Sequence, residues 1–252
     1  MYAGVHKKLG PPDFSNDSTV ARTPFDIVAI AASAGGVSAL RILLSELPIN
    51  FPAPILIVQH LPASHQFVSR LPQVLGRSTN LKVKWAEQNE GLEAGVVYVA
   101  PQDRHVRIVS GRRISLSSAP KINHVRPAAD PLFLSIAELF RERAVCVVLT
   151  GALSDGAQGV KKVAECGGRV LSQDQDTSAV FGMPYAAMRT GQVDFVLPLD
   201  VIARALIVLF MVAGGAAWFR VSRANLPAPK KSSRAIQDAW LDWYGTEHSG
   251  TG

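Results

Sequence analysis

The sequence is short of several features that mark whole classes of protein. Its 252 residues include only two cysteines, Cys146 and Cys166. Two cysteines cannot build the disulfide framework of a small secreted fold or a cysteine-rich zinc site. The first 25 residues contain no apolar stretch of the kind found in a secretory signal peptide. We therefore expect a cytoplasmic enzyme or binding domain.

Charge of one sign is also scarce in the body of the chain. The net charge is +6, but residues 26–200 carry only +2 of it, and the rest lies in the two flanks. A nucleic-acid-binding domain usually concentrates its basic residues in one patch or stripe. For this reason we expect no nucleic-acid partner.

The two flanks of the chain differ from its centre in composition and periodicity. Residues 1–24 mix Gly, Pro, Ser and Asn without periodicity and are predicted to form a flexible leader. Near the other end, 205–219 is uncharged and apolar, yet shorter than the roughly 20 residues of a membrane-spanning helix. We predict an apolar terminal helix over 204–220 that packs on the domain or a partner, with membrane contact by 205–219 the less favoured alternative. A polar, flexible tail is expected over 221–252.

The segment 25–203 has the pattern of an α/β domain. Short apolar runs alternate with helical patterns and tight glycine turns, which is typical of a parallel sheet covered on both faces. A helix is predicted over 37–47. Strands are predicted at 27–30, 55–58, 96–100, 144–149, 169–171 and 195–197, with a hairpin formed by 106–109 and 113–116.

Three of these predicted strands lead directly to a residue that can do chemistry. Ser33 follows the first strand, His60 follows the second, and Asp155 lies just past the strand at 144–149. The carboxyl ends of parallel strands line the ligand crevice of an open sheet. A serine hydroxyl becomes a good nucleophile when an imidazole takes its proton, and a carboxylate holds that imidazole in the right tautomer. The three residues are therefore candidates for nucleophile, base and orienting acid.

Other interpretations of these residues remain open at this stage. Small residues surround Ser33 in 31–36, as in a strand-to-helix turn that projects a nucleophile, but this segment alone favours a cap of the following helix. The chain order Ser, His, Asp differs from the Ser, Asp, His order of an ordinary α/β-hydrolase. For His65, His105 and His124 a surface or packing role is favoured. A metal site is not expected, because the histidines lack ligand-like spacing.

Six short blocks, taken together and in order, resemble the catalytic domain of the CheB-type protein-glutamate methylesterases. The three principal blocks are IAASAGG at 30–36, QHLP at 59–62 and LTGALSDG at 149–156, and the secondary ones are YVAPQDRH at 98–105, Asn123 with Arg126-Pro127 and Asp130, and FGMP at 181–184. The resemblance implies that 25–203 forms a three-layer α/β/α sandwich with a largely parallel, doubly wound sheet. It also implies hydrolysis of glutamate γ-methyl esters on chemoreceptor signalling helices, with release of methanol and no cofactor. Many members of this family also deamidate receptor glutamines.

The resemblance also assigns roles to individual residues. Ser33 corresponds to the nucleophile, His60 to the general base and Asp155 to the residue that orients it. Ala34, Gly35 and Ala152 correspond to positions that stabilise the oxyanion or position the substrate. Ala152 replaces a frequent methionine whose backbone amide is implicated in the oxyanion hole, and a backbone donor tolerates such a change. Ala34 replaces a frequent threonine, and Val125 a common histidine, which bears on rate and substrate fit.

Partners and regulation follow from the same resemblance. Chemoreceptor modification regions are acidic helices, and Arg104, Arg107 and Arg126 are candidates to contact them. The alternative is that these arginines are ordinary solvated surface charges.

About 25 residues precede the first strand, too few for a receiver domain, so we expect a stand-alone catalytic domain that is constitutively open or regulated in trans.

Two alternatives to an esterase stay open. The first is a nucleotide- or phosphate-binding module that uses 33–36, although the G-x-G-x-x-G pattern is absent. The second is a non-catalytic module that recruits partners through Trp240, Trp243 and Tyr244.

Overall fold

The computed structural model describes residues 25–61 and 69–215, in which strands alternate with helices. The strands are β1 Ile27–Ala32, β2 Ile55–Gln59, β3 Lys82–Trp85, β4 Val96–Val99, β5 His105–Val109, β6 Arg113–Ser117, β7 Ala144–Val148, β8 Arg169–Gln173 and β9 Phe195–Leu197. The α-helices are α1 Gly36–Ser45, α2 Leu71–Gly76, α3 Ala129–Phe140, α4 Ala157–Glu165, α5 Gly182–Arg189 and α6 Leu199–Met211, and a 3-10 turn, Arg141–Arg143, joins α3 to β7. The predicted leader, the predicted tail and His65 lie outside the described residues.

Seven of the strands form one sheet in the order β3-β4-β2-β1-β7-β8-β9, and every neighbouring pair is parallel. The chain first moves outward from β1 to β2 and later returns to the other side of β1 as β7. β1 is therefore the point at which the winding reverses, which is where a doubly wound sheet opens a crevice outside its carboxyl ends. The predicted hairpin is confirmed, because β5 and β6 pair antiparallel in a sheet of their own.

Two hydrophobic cores lie on the two faces of the large sheet. Alternate residues of β1 contribute to different cores, since successive side chains of a strand point to opposite faces. Helices α1, α2 and α6 cover one face, whereas α3, α4, α5 and the hairpin cover the other. Every residue of β1, β2 and β7 is buried, which explains why these strands are continuous apolar runs in the sequence. The predicted three-layer α/β/α sandwich is confirmed.

One strand of the sheet is absent from the sequence-based prediction. β3 is a four-residue edge strand whose residues Lys82, Val83, Lys84 and Trp85 alternate between charged and apolar. Charged residues are typical of exposed edge strands, because they discourage pairing with another chain. The alternation is the signal for β3, but it is weak over four residues.

The last described helix begins earlier than the sequence predicted. α6 starts at Leu199, so the expected boundary between 203 and 204 falls inside it. It packs on the domain, and the ring of Phe210 lies 5.6 Å from that of Phe25 and 5.1 Å from that of Phe51. Within residues 25–61 and 69–215, no helix has the length and apolar character needed to span a membrane.

Candidate active site

Ser33 and His60 lie side by side because of the register between β1 and β2. The last pair in that register joins Ala32 to Gln59, so Ser33 and His60 are the next residues along two strands about 4.8 Å apart. The His60 amide donates to the Ala32 carbonyl at 3.0 Å. The Gln59 side chain donates to the carbonyl oxygens of Ser33 at 2.8 Å and His60 at 3.0 Å, which clamps the two strand tips together.

Asp155 reaches the same place from the loop after β7. The Ser33 amide donates to the Thr150 carbonyl at 3.0 Å, which continues the pairing of β1 with β7 beyond the strands themselves. The His60 Nε2 atom then lies 2.7 Å from Asp155 Oδ2. The side chain of His60 is 11% exposed and that of Asp155 only 1%, so the pair is largely shielded from water. All three candidate residues are therefore at the carboxyl edge of the sheet.

The hydrogen bonds of Asp155 determine which ring nitrogen of His60 carries the proton. Asp155 accepts the amides of Ala129 at 2.6 Å and Asp130 at 3.3 Å, at the start of α3, where a helix favours negative charge. An ionised carboxylate only accepts, so His60 Nε2 donates to it and Nδ1 is left without a proton. Neither Nδ1 nor the Ser33 hydroxyl has a hydrogen-bond partner among the described residues. Both groups are thus free of competing partners among the described residues, and proton transfer requires that they come within hydrogen-bonding distance of each other.

The turn after β1 contradicts the alternative that Ser33 caps the first helix. Gly35 is the N-cap of α1, and the cap has no side-chain hydrogen bond. Gly35 has a φ of +77°, and a Cβ there would lie 2.6 Å from the Ala179 Cβ. A glycine is therefore required for this turn, and the turn leaves the half-buried Ser33 at the end of the strand.

The three predicted oxyanion residues come from two loops that flank Ser33. Ala34 and Gly35 are exposed and Ala152 is half-buried. Their amides donate to no other described residue. The second loop touches the nucleophile candidate, since a Cβ on Gly151 would lie 2.7 Å from the Ser33 Cβ. Unused amides beside a serine are suited to stabilise a developing negative charge.

Thr150, which has no role in the sequence-based prediction, holds these loops together. Its hydroxyl lies 2.9 Å from the Ala34 carbonyl oxygen and accepts the Val180 amide at 2.9 Å. The side-chain oxygen of Gln173 accepts the Thr150 amide at 2.8 Å. A polar residue two positions after a fully buried strand was the available signal.

The remaining residues that the sequence singled out lie in packing, loop-holding or exposed positions. His105 is buried, and its ring binds the Ala128 amide through Nδ1 and the Pro120 carbonyl through Nε2. Arg126 is held by Asp103 at 2.6 Å and by two carbonyl groups, so it ties a loop together. Arg104 and Arg107 are exposed. Among the described residues, no group of three or more His, Cys, Asp or Glu side chains is arranged to hold a metal ion.

Fold and site together define a class: a doubly wound α/β protein with serine, histidine and aspartate gathered at the switch point of its sheet. The family model for CheB methylesterase matches residues 28–206. The chain belongs to the CheB methylesterase family.

Individual relatives agree with this assignment. The chain is 42% identical over 194 residues to a protein-glutamate methylesterase/protein-glutamine glutaminase of Pyrococcus abyssi, which is 75% of this chain and 52% of the relative. A putative protein of the same description from Leptospira interrogans is 39% identical over 185 residues, or 73% of this chain and 95% of the relative. The crystal structure of the Thermotoga maritima CheB methylesterase catalytic domain matches with a TM-score of 0.70 and 39% identity, covering 73% of this chain and 98% of that one. The chain spans about half the length of several curated relatives that it matches.

Proposed function

We propose that this chain is a serine hydrolase that removes methyl esters from glutamate side chains of chemoreceptor signalling helices and releases methanol. The observation that carries the proposal is the 2.7 Å contact between His60 Nε2 and Asp155 Oδ2 beside Ser33. The names of the relatives support it, and their second activity supports deamidation of glutamine at the same site. Both described cysteines are free, which fits a reducing, cytoplasmic location.

The first half of the reaction forms an ester between the substrate and the enzyme. Ser33 Oγ attacks the carbonyl carbon of the methyl ester while His60 Nδ1 takes its proton. The negative charge moves to the carbonyl oxygen, and the amides of Ala34, Gly35 and Ala152 are the candidate donors that stabilise it. One such donor contributes about 3 kcal/mol to transition-state stabilisation. The bond to the methoxy oxygen then breaks, and the proton on His60 leaves with it as methanol.

The second half regenerates the enzyme. A water molecule gives a proton to His60 and attacks the acyl-enzyme carbonyl carbon, the bond to Ser33 Oγ breaks, and the proton returns to Ser33. The product is the free glutamate side chain. With a glutamine substrate the same steps release ammonia in place of methanol. Asp155 stabilises the imidazolium in both halves through its bond to Nε2.

The proposal is tested by methanol release from membranes that carry methyl-labelled chemoreceptors. Ser33→Ala is expected to reduce release to the background rate, because the attacking oxygen is gone. Ser38→Ala is the matched control, since Ser38 is exposed on α1 and makes no contact required by the mechanism. Release by Ser33→Ala at the wild-type rate would rule out the proposed mechanism. A thermal shift with nucleotide and no release by the wild type would instead favour the phosphate-binding alternative.

A further inference from the structure

A second buried carboxylate, that of Asp130, lies behind the candidate triad. Asp130 is the second residue of α3 and is 3% exposed. Its Oδ1 accepts the Gly159 amide in the first turn of α4 at 2.8 Å. Its Oδ2 is buried and has no hydrogen-bond partner among the described residues. The mechanism above does not use this group.

Asp130 and Asp155 cap each other's helices. Asp155 stands just before α4 and accepts two amides at the start of α3, whereas Asp130 stands at the start of α3 and accepts an amide of α4. The N-cap residues of the two helices, Ala128 and Gly156, provide no side-chain hydrogen bond. The first amides of a helix need acceptors from elsewhere, so this exchange joins the two helix starts.

The exchange also leaves two buried acidic residues close together, joined through the backbone amide of Asp130. The Asp130 amide lies 3.3 Å from Asp155 Oδ1. Burial, opposed by the Gly159 hydrogen bond and reinforced by the charge of Asp155, raises the pKa of Asp130 to about 6. A negative charge on Asp130 therefore adds to that of Asp155 around neutral pH.

We propose that Asp130 is a positioning residue for the hydrolysis: it fixes the Asp155 carboxylate against His60 and adds negative charge behind it. His60 gains a proton when Ser33 attacks, and negative charge next to Asp155 makes that gain more favourable. This inference rests on the proposed function. Asp130 contacts neither substrate nor His60, so it acts through Asp155.

Other titratable groups lie on α3 and on the elements packed against it. Burial raises the pKa of the Cys146 thiol, so it carries no charge. His105 accepts the Ala128 amide through Nδ1, which a ring protonated on both nitrogens cannot do. The charged residues on α3 and on the elements packed against it are Arg107 on β5, Glu138 on α3, Lys161, Lys162 and Glu165 on α4, and Arg141, Glu142 and Arg143 in the 3-10 turn. The Asp155 carboxylate accepts the backbone amide of Asp130, and its negative charge contributes to the raised pKa of the Asp130 carboxyl group.

The first test follows His60 by NMR in the absence of any ester. Asp130→Asn keeps an oxygen for the Gly159 amide but removes the charge. The midpoint of the His60 ring-proton titration is expected to move to lower pH by about one unit. Asp194→Asn is the matched control, because Asp194 is equally buried and accepts the Val170 amide away from the site. That control is expected to leave the midpoint where the wild type has it.

The second test measures methanol release as a function of pH. In Asp130→Asn the acid side of the profile is expected to move to lower pH with the His60 midpoint, and kcat at the plateau to fall several-fold with KM unchanged. An unchanged midpoint, or an equal loss of activity at every pH, would mean that Asp130 only caps a helix, and would overturn the inference. Asp130→Ser, which keeps a short acceptor without charge, replaces Asn if that variant fails to fold. Because the titration needs no ester, a wild type that releases no methanol would overturn the proposed function and not this result.

Discussion

His60 is held by Asp155 through Nε2, and in the proposed mechanism it accepts the Ser33 proton through Nδ1. The Asp155 carboxylate therefore determines whether Nδ1 is available as a base. Asp155→Asn places an amide group where the carboxylate was. That group donates to Nε2 and moves the ring proton to Nδ1, so Nδ1 can no longer accept the Ser33 proton. We expect kcat for methanol release to fall by about four orders of magnitude. A loss below tenfold in a variant whose circular dichroism matches the wild type would contradict the assignment of Asp155.

Leu153 has a strained backbone in the loop that carries Ala152. Its φ is +66°, and it is the one aliphatic residue among the non-glycine residues with positive φ in the described part of the chain. The residue is 47% exposed, so little packing compensates for the strain. Leu153→Asn is expected to raise the free energy of unfolding by about 1 kcal/mol, because asparagine tolerates this conformation.

The control for this change is another exposed leucine in an ordinary conformation. Leu139 is 39% exposed on α3, and Leu139→Asn is expected to lower the free energy of unfolding by about 0.5 kcal/mol. Denaturant titration of both variants measures the difference. Equal effects of the two substitutions would show that the backbone of Leu153 carries no strain.

The residues that sequence analysis located and those that it missed differ in a physical way. Ser33, His60 and Asp155 each follow a buried strand, and the chemistry of that position is visible in the local sequence. Asp130 appeared only as part of a family block, because its role depends on a contact between the starts of α3 and α4. Thr150 was missed for the same reason, since its partners lie in loops far along the chain.

Between elements, the close approach of the loop after β7 to the tip of β1 is possible only with glycine at position 151. A Cβ there would meet the Ser33 Cβ at 2.7 Å and the Met183 sulfur. The sulfur belongs to a flexible side chain, but the Ser33 Cβ is part of the strand end and moves only with it. Gly151→Ala is therefore expected to reduce kcat at least about tenfold, since small displacements of reacting groups have large effects on rate.

Gly91→Ala is the control for this substitution, because a Cβ at Gly91 meets nothing within 4 Å and its φ is not positive. It is expected to leave methanol release and stability unchanged. If Gly151→Ala also releases methanol at the wild-type rate, then the contact with Ser33 does not position the nucleophile.

The ends of elements were harder to predict than their existence. The central strands were recognised because they are buried on both faces and appear as uninterrupted apolar runs. β3 was not, because an edge strand alternates with charge and needs no such run. The start of α6 was missed because the apolar run that marks it begins only after its first turn.

Over the whole molecule, the order of the triad candidates along the chain follows from the winding of the sheet. β1 lies between β2 and β7, so a residue at its tip has neighbours from both sides. The chain visits β1, then β2, then β7, and it therefore meets Ser33, His60 and Asp155 in that order. An ordinary α/β-hydrolase has the order Ser, Asp, His. The unusual order is thus a consequence of topology.

The packing of α6 against the core of the domain predicts that this helix belongs to the same cooperative unit. Phe210 is fully buried and packs on Phe25, which precedes β1 at the sheet edge opposite Ser33. Phe210→Ala is expected to lower the free energy of unfolding by about 3–5 kcal/mol without changing kcat, because the cavity lies far from the reacting groups. Ile207→Ala, at a half-buried position of the same helix, should have a smaller effect. Denaturant midpoints and methanol release measured on both variants test this, and a Phe210→Ala midpoint equal to that of the wild type would place α6 outside the unit that folds with the site.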